Sequence, residues 1–198
     1  CARHDLTPRA LVQDSTRLGE LQQTLLRDDQ TILGATNQDP ADRARTASVT
    51  ASGSSQDTTP NAVIDGHLRD WPGKTEHCWI APLTDQGAWI ELAWDQPQSL
   101  THVQFLFDSG FQRELTLTSA NSHNAKIVRA PQPETVRDYV VTARDADGSE
   151  VVLAEVVGNH QRLCRHRFPE VRAKSIRLTV KATNGVPEAR VFEVRCWA

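Results

Sequence analysis

From residue 47 onward, apolar and polar positions alternate with a period of two, whereas residues 1–35 repeat their apolar positions at helical spacing. In the first part, Thr7–Pro8 reads as an N-cap followed by proline at the first helical position. Asp14 or Ser15 then caps a second helix, with Leu18, Leu21, Leu25 and Leu26 as its stripe and Asp28–Gln30 as its end. A helix this short needs a partner surface. Residues 36–46 (TNQDPADRART) are polar and predict a connector.

The period-two part predicts strands around Ala47–Ala51, Ala88–Trp94, Leu100–Asp108, Leu115–Leu117, Val136–Arg144, Val151–Val157, Arg162–Phe168, Ser175–Lys181 and Arg190–Trp197. Val103, Phe105 and Phe107 share one face, and residues 119–134 form a long polar loop. Short alternating strands without an intervening long helix predict a mainly β fold, an antiparallel sandwich or jelly roll over 47–198, and exclude an α/β nucleotide fold there. Between the first strands lies Asn61–Trp79, NAVIDGHLRDWPGKTEHCW. Its apolar Ala62–Ile64 run stops at an Asp65–Gly66 turn, and the remainder concentrates tryptophan, histidine and acids in an irregular loop.

Composition narrows the function classes. The 198 residues, 38% hydrophobic and 24% charged, suffice for one sizeable domain and an appendage. A net charge of −3 provides no polyanion-binding field, so nucleic acid and anionic membrane are not expected partners. No apolar run reaches the ~18 residues a membrane helix needs. The chain contains no methionine, which suggests a fragment or a processed product. Cys1, Cys78, Cys164 and Cys196 show no CxxC spacing, which argues against a zinc cluster or a thioredoxin-like site. Buried thiols are the main expectation, with a Cys164–Cys196 bridge open in an oxidising compartment. Reduced cysteines tilt the compartment towards the cytoplasm, and a sugar-binding role tilts it outward.

Two resemblances add to this. CARHDLTPRAL followed by LQQTLLRDDQ, over residues 1–30, resembles the end of the catalytic part of bacterial FAD-dependent oxidoreductases, where an LQ-x-x-L helix closes the flavin domain. That resemblance implies a parent flavin domain as partner. No GxGxxG follows a strand here, so FAD would belong to the parent protein and not to this chain. Over residues 46–198, ASVTASGSS, AVIDG, WIELAW with THVQFLFD, SIRLTVKATNG and ARVFEVRCW together resemble the galactose-binding-like fold of discoidin domains, coagulation-factor C domains and sugar-binding modules. It is also similar to the tail modules of some FAD-dependent oxidoreductases. The fold hosts many functions and does not name a ligand.

The second resemblance implies a structural calcium ion at the Asp-Gly loop. Asp65 would supply an oxygen, with backbone carbonyls near Ala62 and His67, Asp70 or Thr75 adding another and Glu193 closing the site. Without an ion, Asp65 would cap its own turn. For a glycan, an aromatic face and planar polar groups are needed. Trp71, His77, Phe111, Arg113, Asn121, His123, Asn159 and His160 stand near expected loop tips; Trp71, His77, Arg113, His123 and His160 are the ligand-binding candidates. Trp79, Trp89 and Trp94 are expected in the core or on the sheet. His67, His77, His160 and His166 fall in no HxH or HxxxH spacing, which favours solvated or core histidines over a transition-metal site. No GxSxG elbow and no singled-out carboxylate pair suggests hydrolysis. The expectation is a non-catalytic recognition module, with carbohydrate as ligand; the alternative is a structural or interaction domain that packs on the flavin domain or builds an oligomer.

Overall fold

A computed structural model describes residues 37, 39–55, 57–70, 75–110 and 116–198. The helical segment expected over 1–35 lies outside the described residues, as do Trp71, Phe111 and Arg113. The unit that carries the sheet begins at Asn37.

Seven antiparallel strands follow: β1 (Ser48–Ala51), β2 (Trp79–Pro82), β3 (Ala88–Phe107), β4 (Val136–Arg144), β5 (Glu150–Val156), β6 (Leu163–Thr183) and β7 (Glu188–Trp197). They connect in the order β2-β7-β3-β6-β4-β5, with β1 on β3. A straight strand of 20 residues would be about 65 Å long, far more than a domain of this size can hold, so β3 and β6 must bend. The register between them shifts at Ala93/Gln98 and at Leu100/His102. Extra residues bulge out at these points and bend the pair. Before the bend, Ala88–Ala93 lies between β1 and the second half of β6; after it, His102–Phe107 lies between β7 and the first half of β6. The two long strands therefore belong to both layers of a β-sandwich.

The layers meet through large side chains. Tyr139 of β4 packs edge-on against Phe107 and Phe105, with centroids 5.3 and 6.3 Å apart. Its hydroxyl lies 2.9 Å from His166 Nε2 on the opposite layer. Ile90, Leu92, Leu100, Ile176 and Leu178 complete a core in which each is at most 1% exposed. Burying a side chain of that size contributes about 1.5–3 kcal/mol. Trp79 and Trp94 join this core and satisfy their indole N–H groups on Gly53 O and Arg43 O. Trp89 lies on the sheet surface under the Arg177 guanidinium, 4.2 Å from the ring centre.

Several expectations are corrected. The paired predictions at 88–94 and 100–108, and at 162–168 and 175–181, are each one bent strand. Leu117 is 72% exposed and in no strand. The polar loop carries a short helix, α1 (Asn121–Asn124), and Trp79–Pro82 forms an unforeseen strand. In the stretch expected as a connector, Asn37, Asp42 and Ala44 are buried. Arg43–Thr46 is a 3₁₀ turn capped by the Asp42 side chain, whose Oδ1 also accepts the Cys196 N–H at 2.9 Å. Cys78, Cys164 and Cys196 are all unbridged. Cys164 pairs with Phe105 from one side of β3 and Cys196 with Val103 from the other, so they sit two strands apart. That is about 9–10 Å, beyond disulfide reach. No helix among the described residues is long and apolar enough to cross a membrane.

Candidate functional site

At the end of the sandwich where β3 stops, the connections are stitched to one another. Thr135 Oγ1 donates to Asp108 O at 2.9 Å, and Phe107 N donates to Arg162 O at 2.8 Å. Asn184 Nδ2 donates to both Thr135 O and Asn159 O at 3.0 Å. Asn159 is itself committed: its amide nitrogen donates to Val136 O and Gln161 O, so it holds the loop in place. Exposed His160 stands on this rim next to it, and exposed His123 lies on α1. A surface groove of about 580 Å³ lies instead at the other end, by the β4–β5 hairpin, between Pro97, Ala143, Asp145, Glu150, Val171 and Arg172. Asp145 Oδ1 there accepts the N–H groups of Asp147 and Ser149, which fixes a turn.

The described residues of the Asn61–Trp79 stretch reach the stitched rim, where the Arg162 guanidinium donates to Leu68 O. Gly66, at φ +87°, permits the turn after Asp65, and Asp65 Oδ1 accepts the His67 N–H at 2.8 Å. Ten residues on, Asp70 Oδ1 accepts the His77 N–H at 3.0 Å. These two bonds deliver both imidazoles to one carboxylate. His77 Nδ1 lies 2.7 Å and His67 Nδ1 3.2 Å from the Asp65 oxygens. The two rings stack with centroids 3.8 Å apart. His77 is only 8% exposed, so it is not the loop-tip sugar contact expected for it. Its ring contacts the Asp65 carboxylate and the His67 ring.

The surroundings are acidic. Burial pushes the Asp70 carboxyl up, the His77 N–H bond and the His77 ring oppose this, and the charges of Asp108 and Asp65 add to it. Glu193, 1% exposed on β7, is pushed up by burial against the bond from Arg195, with Asp42 and Asp65 raising it further. Its Oε2 accepts from Arg195 Nε at 2.7 Å, and Oε1 has no hydrogen-bond partner among the described residues. Arg190 pairs with Asp108 and Arg195 with Glu193. Among the described residues, no lysine or arginine pairs with Asp65 or Asp70.

With this geometry, known proteins can be compared. A family model described as a domain of unknown function, DUF7402, matches residues 42–120. No curated protein matches the sequence. Solved structures match throughout the sheet. The family 32 carbohydrate-binding module from Streptococcus pneumoniae EndoD is 15% identical over 79% of this chain and 98% of its own, with a TM-score of 0.58. The family 32 module from C. perfringens NanJ, in complex with galactose, is 11% identical over 80% and 98%, also at 0.58. A Clostridium perfringens module, CpGH89CBM32-5, in complex with GalNAc-β-1,3-galactose, is 14% identical over 78% and 97%, at 0.56. The fold is the galactose-binding-like β-sandwich.

In that sandwich the expected metal residues fall as follows. Asp65 lies near enough to Asp70 and Glu193 for its charge to act on both. Asp70 is engaged with the His77 backbone, and one Glu193 oxygen with Arg195. The donors that converge are a carboxylate oxygen and two imidazole nitrogens, all within 4.8 Å of one another. Calcium takes six to eight oxygens, and this set does not fit that preference. The sequence sets His67 and His77 aside as metal ligands because their separation along the chain has no metal-ligand spacing. The available signal was the Asp-Gly turn itself, which brings residue 67 back over residue 65.

Proposed function

We propose that this chain is a non-catalytic carbohydrate-recognition module that uses the stitched loop end of its sandwich. The supporting observation is the fold, shared over nearly their full length with modules whose structures hold galactose or GalNAc-β-1,3-galactose. Bonds among Asp108, Thr135, Asn159 and Asn184 give that end a rigid rim, and a rim fixed in advance loses little entropy when a sugar binds. Trp71 is the candidate aromatic face, with Arg113, His123 and His160 as candidate hydroxyl partners. Glycan-array screening followed by calorimetry tests this, with Trp71→Ala and His160→Ala as variants. Binding weakened at least about tenfold by either variant is expected, about 1.4 kcal/mol. Absence of binding to any glycan, with divalent metal supplied, overturns the reading.

A second reading, an interaction domain without a small ligand, is favoured by β5. This strand ends the sheet order and leaves Val151 49% and Val152 59% exposed beside a backbone edge that no other described strand pairs. We infer further that the module follows a flavin domain in its parent protein, on the resemblance of residues 1–30. Yellow flavin absorbance co-purifying with the full natural protein is the expected result, and a colourless full-length protein counts against it.

A further inference from the structure

We propose that Asp65, His67 and His77 form a binding site for a divalent transition-metal ion, zinc foremost, in the loop where the fold resemblance implies calcium. Imidazole nitrogens suit zinc, nickel and copper, whereas calcium is held by oxygen. Zinc bound at 2.0–2.2 Å by nitrogen and oxygen places neighbouring tetrahedral donors about 3.3 Å apart. The Asp65–His77 and Asp65–His67 separations are 2.7 and 3.2 Å, so a small outward shift of the rings admits the ion.

The arrangement is also held independently of any ion. The His67 backbone is fixed by Asp65 Oδ1 within the Asp-Gly turn, and the His77 backbone by Asp70 Oδ1, from outside the donor set. His77 and His67 are 10% and 16% exposed at the side chain and Asp65 28%, which leaves the open side of the site towards Asp65. Three protein donors leave a fourth position for water or a ligand oxygen. Asp65 acts by its charge on both Asp70 and Glu193, and among the described residues neither Asp65 nor Asp70 pairs with a lysine or arginine, whereas Asp108 and Glu193 are paired with Arg190 and Arg195. The inference does not depend on sugar binding, and either can fail alone.

The test uses the whole chain, stripped of metal by chelator and then titrated with zinc, calcium and cobalt(II). One zinc per chain is expected. At a free concentration about 100 times its Kd, zinc raises the melting temperature by about 5–10 °C, and calcium at millimolar concentration adds less. Bound cobalt is expected to show four-coordinate d–d absorption without a thiolate charge-transfer band, which separates this site from the cysteines. His67→Ala is expected to weaken zinc at least about 100-fold. If that variant fails to fold by circular dichroism, His67→Asn and Asp65→Asn replace it. Zinc binding undiminished in these variants, calcium bound in preference to zinc, a thiolate cobalt spectrum, or no binding of zinc at all overturns the proposal.

Discussion

Asp42 joins the two ends of the sandwich sequence, and replacing it should be costly. Its Oδ1 accepts from Ala44 N at 3.0 Å, capping the 3₁₀ turn, and from Cys196 N at 2.9 Å on β7, 154 positions away. Asp42→Ala removes a cap worth about 1 kcal/mol. It also leaves the Cys196 N–H buried without a partner, at about 1–3 kcal/mol. Relief of a desolvated charge offsets part of this, so the net loss should be about 2–3 kcal/mol. For a domain of this size that lowers the melting temperature by about 5–10 °C. Asp42→Asn keeps the acceptor and should lose about 1 kcal/mol or less. Burial pushes the Asp42 carboxyl up, against the N–H groups that it accepts. The folded state therefore holds the proton more tightly than the unfolded chain. Stability from this source is complete below the unfolded value of about 3.9 and is lost as pH rises through the folded one. Asp42→Asn lacks that loss, so its deficit relative to wild type should be larger near pH ~4 than near pH ~7. Urea unfolding of the three proteins at both pH values measures this. An Asp42→Ala loss below about 0.5 kcal/mol, or an asparagine variant as unstable as the alanine one, refutes the reasoning.

Two further predictions concern the sheet. Gly87 has φ +85°, and a Cβ there would lie 2.3 Å from Val180 O, so Gly87→Ala should cost about 2 kcal/mol or more; an unchanged denaturation midpoint contradicts it. Burial holds the His166 imidazole below its ordinary range. The unfolded chain then takes up the proton first, so stability is lost as pH falls through about 6.5. His166→Gln, still able to bond the Tyr139 hydroxyl, should flatten that part of the stability profile, and an unaltered slope counts against the assignment.

Sheet architecture was legible wherever alternation was clean. β4 was predicted at Val136–Arg144 and observed there, because Val136, Tyr139, Val141 and Ala143 are the positions it buries. Continuity of β3 and β6 was hidden by Pro97 and Pro169. Proline signals a break, yet at a bulge or bend its missing N–H costs no ladder bond, so the strand runs through. Leu117 misled in the opposite way, since an isolated leucine is as compatible with solvent as with a strand. Of the site, Asp65 and His77 could be singled out but not paired. The sequence between His67 and His77 carries no period, and the turn at Gly66 and the Asp70–His77 backbone bond, which help to bring the imidazoles together, leave no pattern in it.

Because β3 and β6 each thread both layers, neither layer can melt by itself: peeling one away pulls hydrogen bonds out of the other. Cleavage within the 95–99 corner would cut a ribbon that both halves share, so a single nick there should release the whole sandwich to proteases, whereas a nick in the 52–59 connection should leave it standing. Loops carried on such a body keep their places until it collapses all at once.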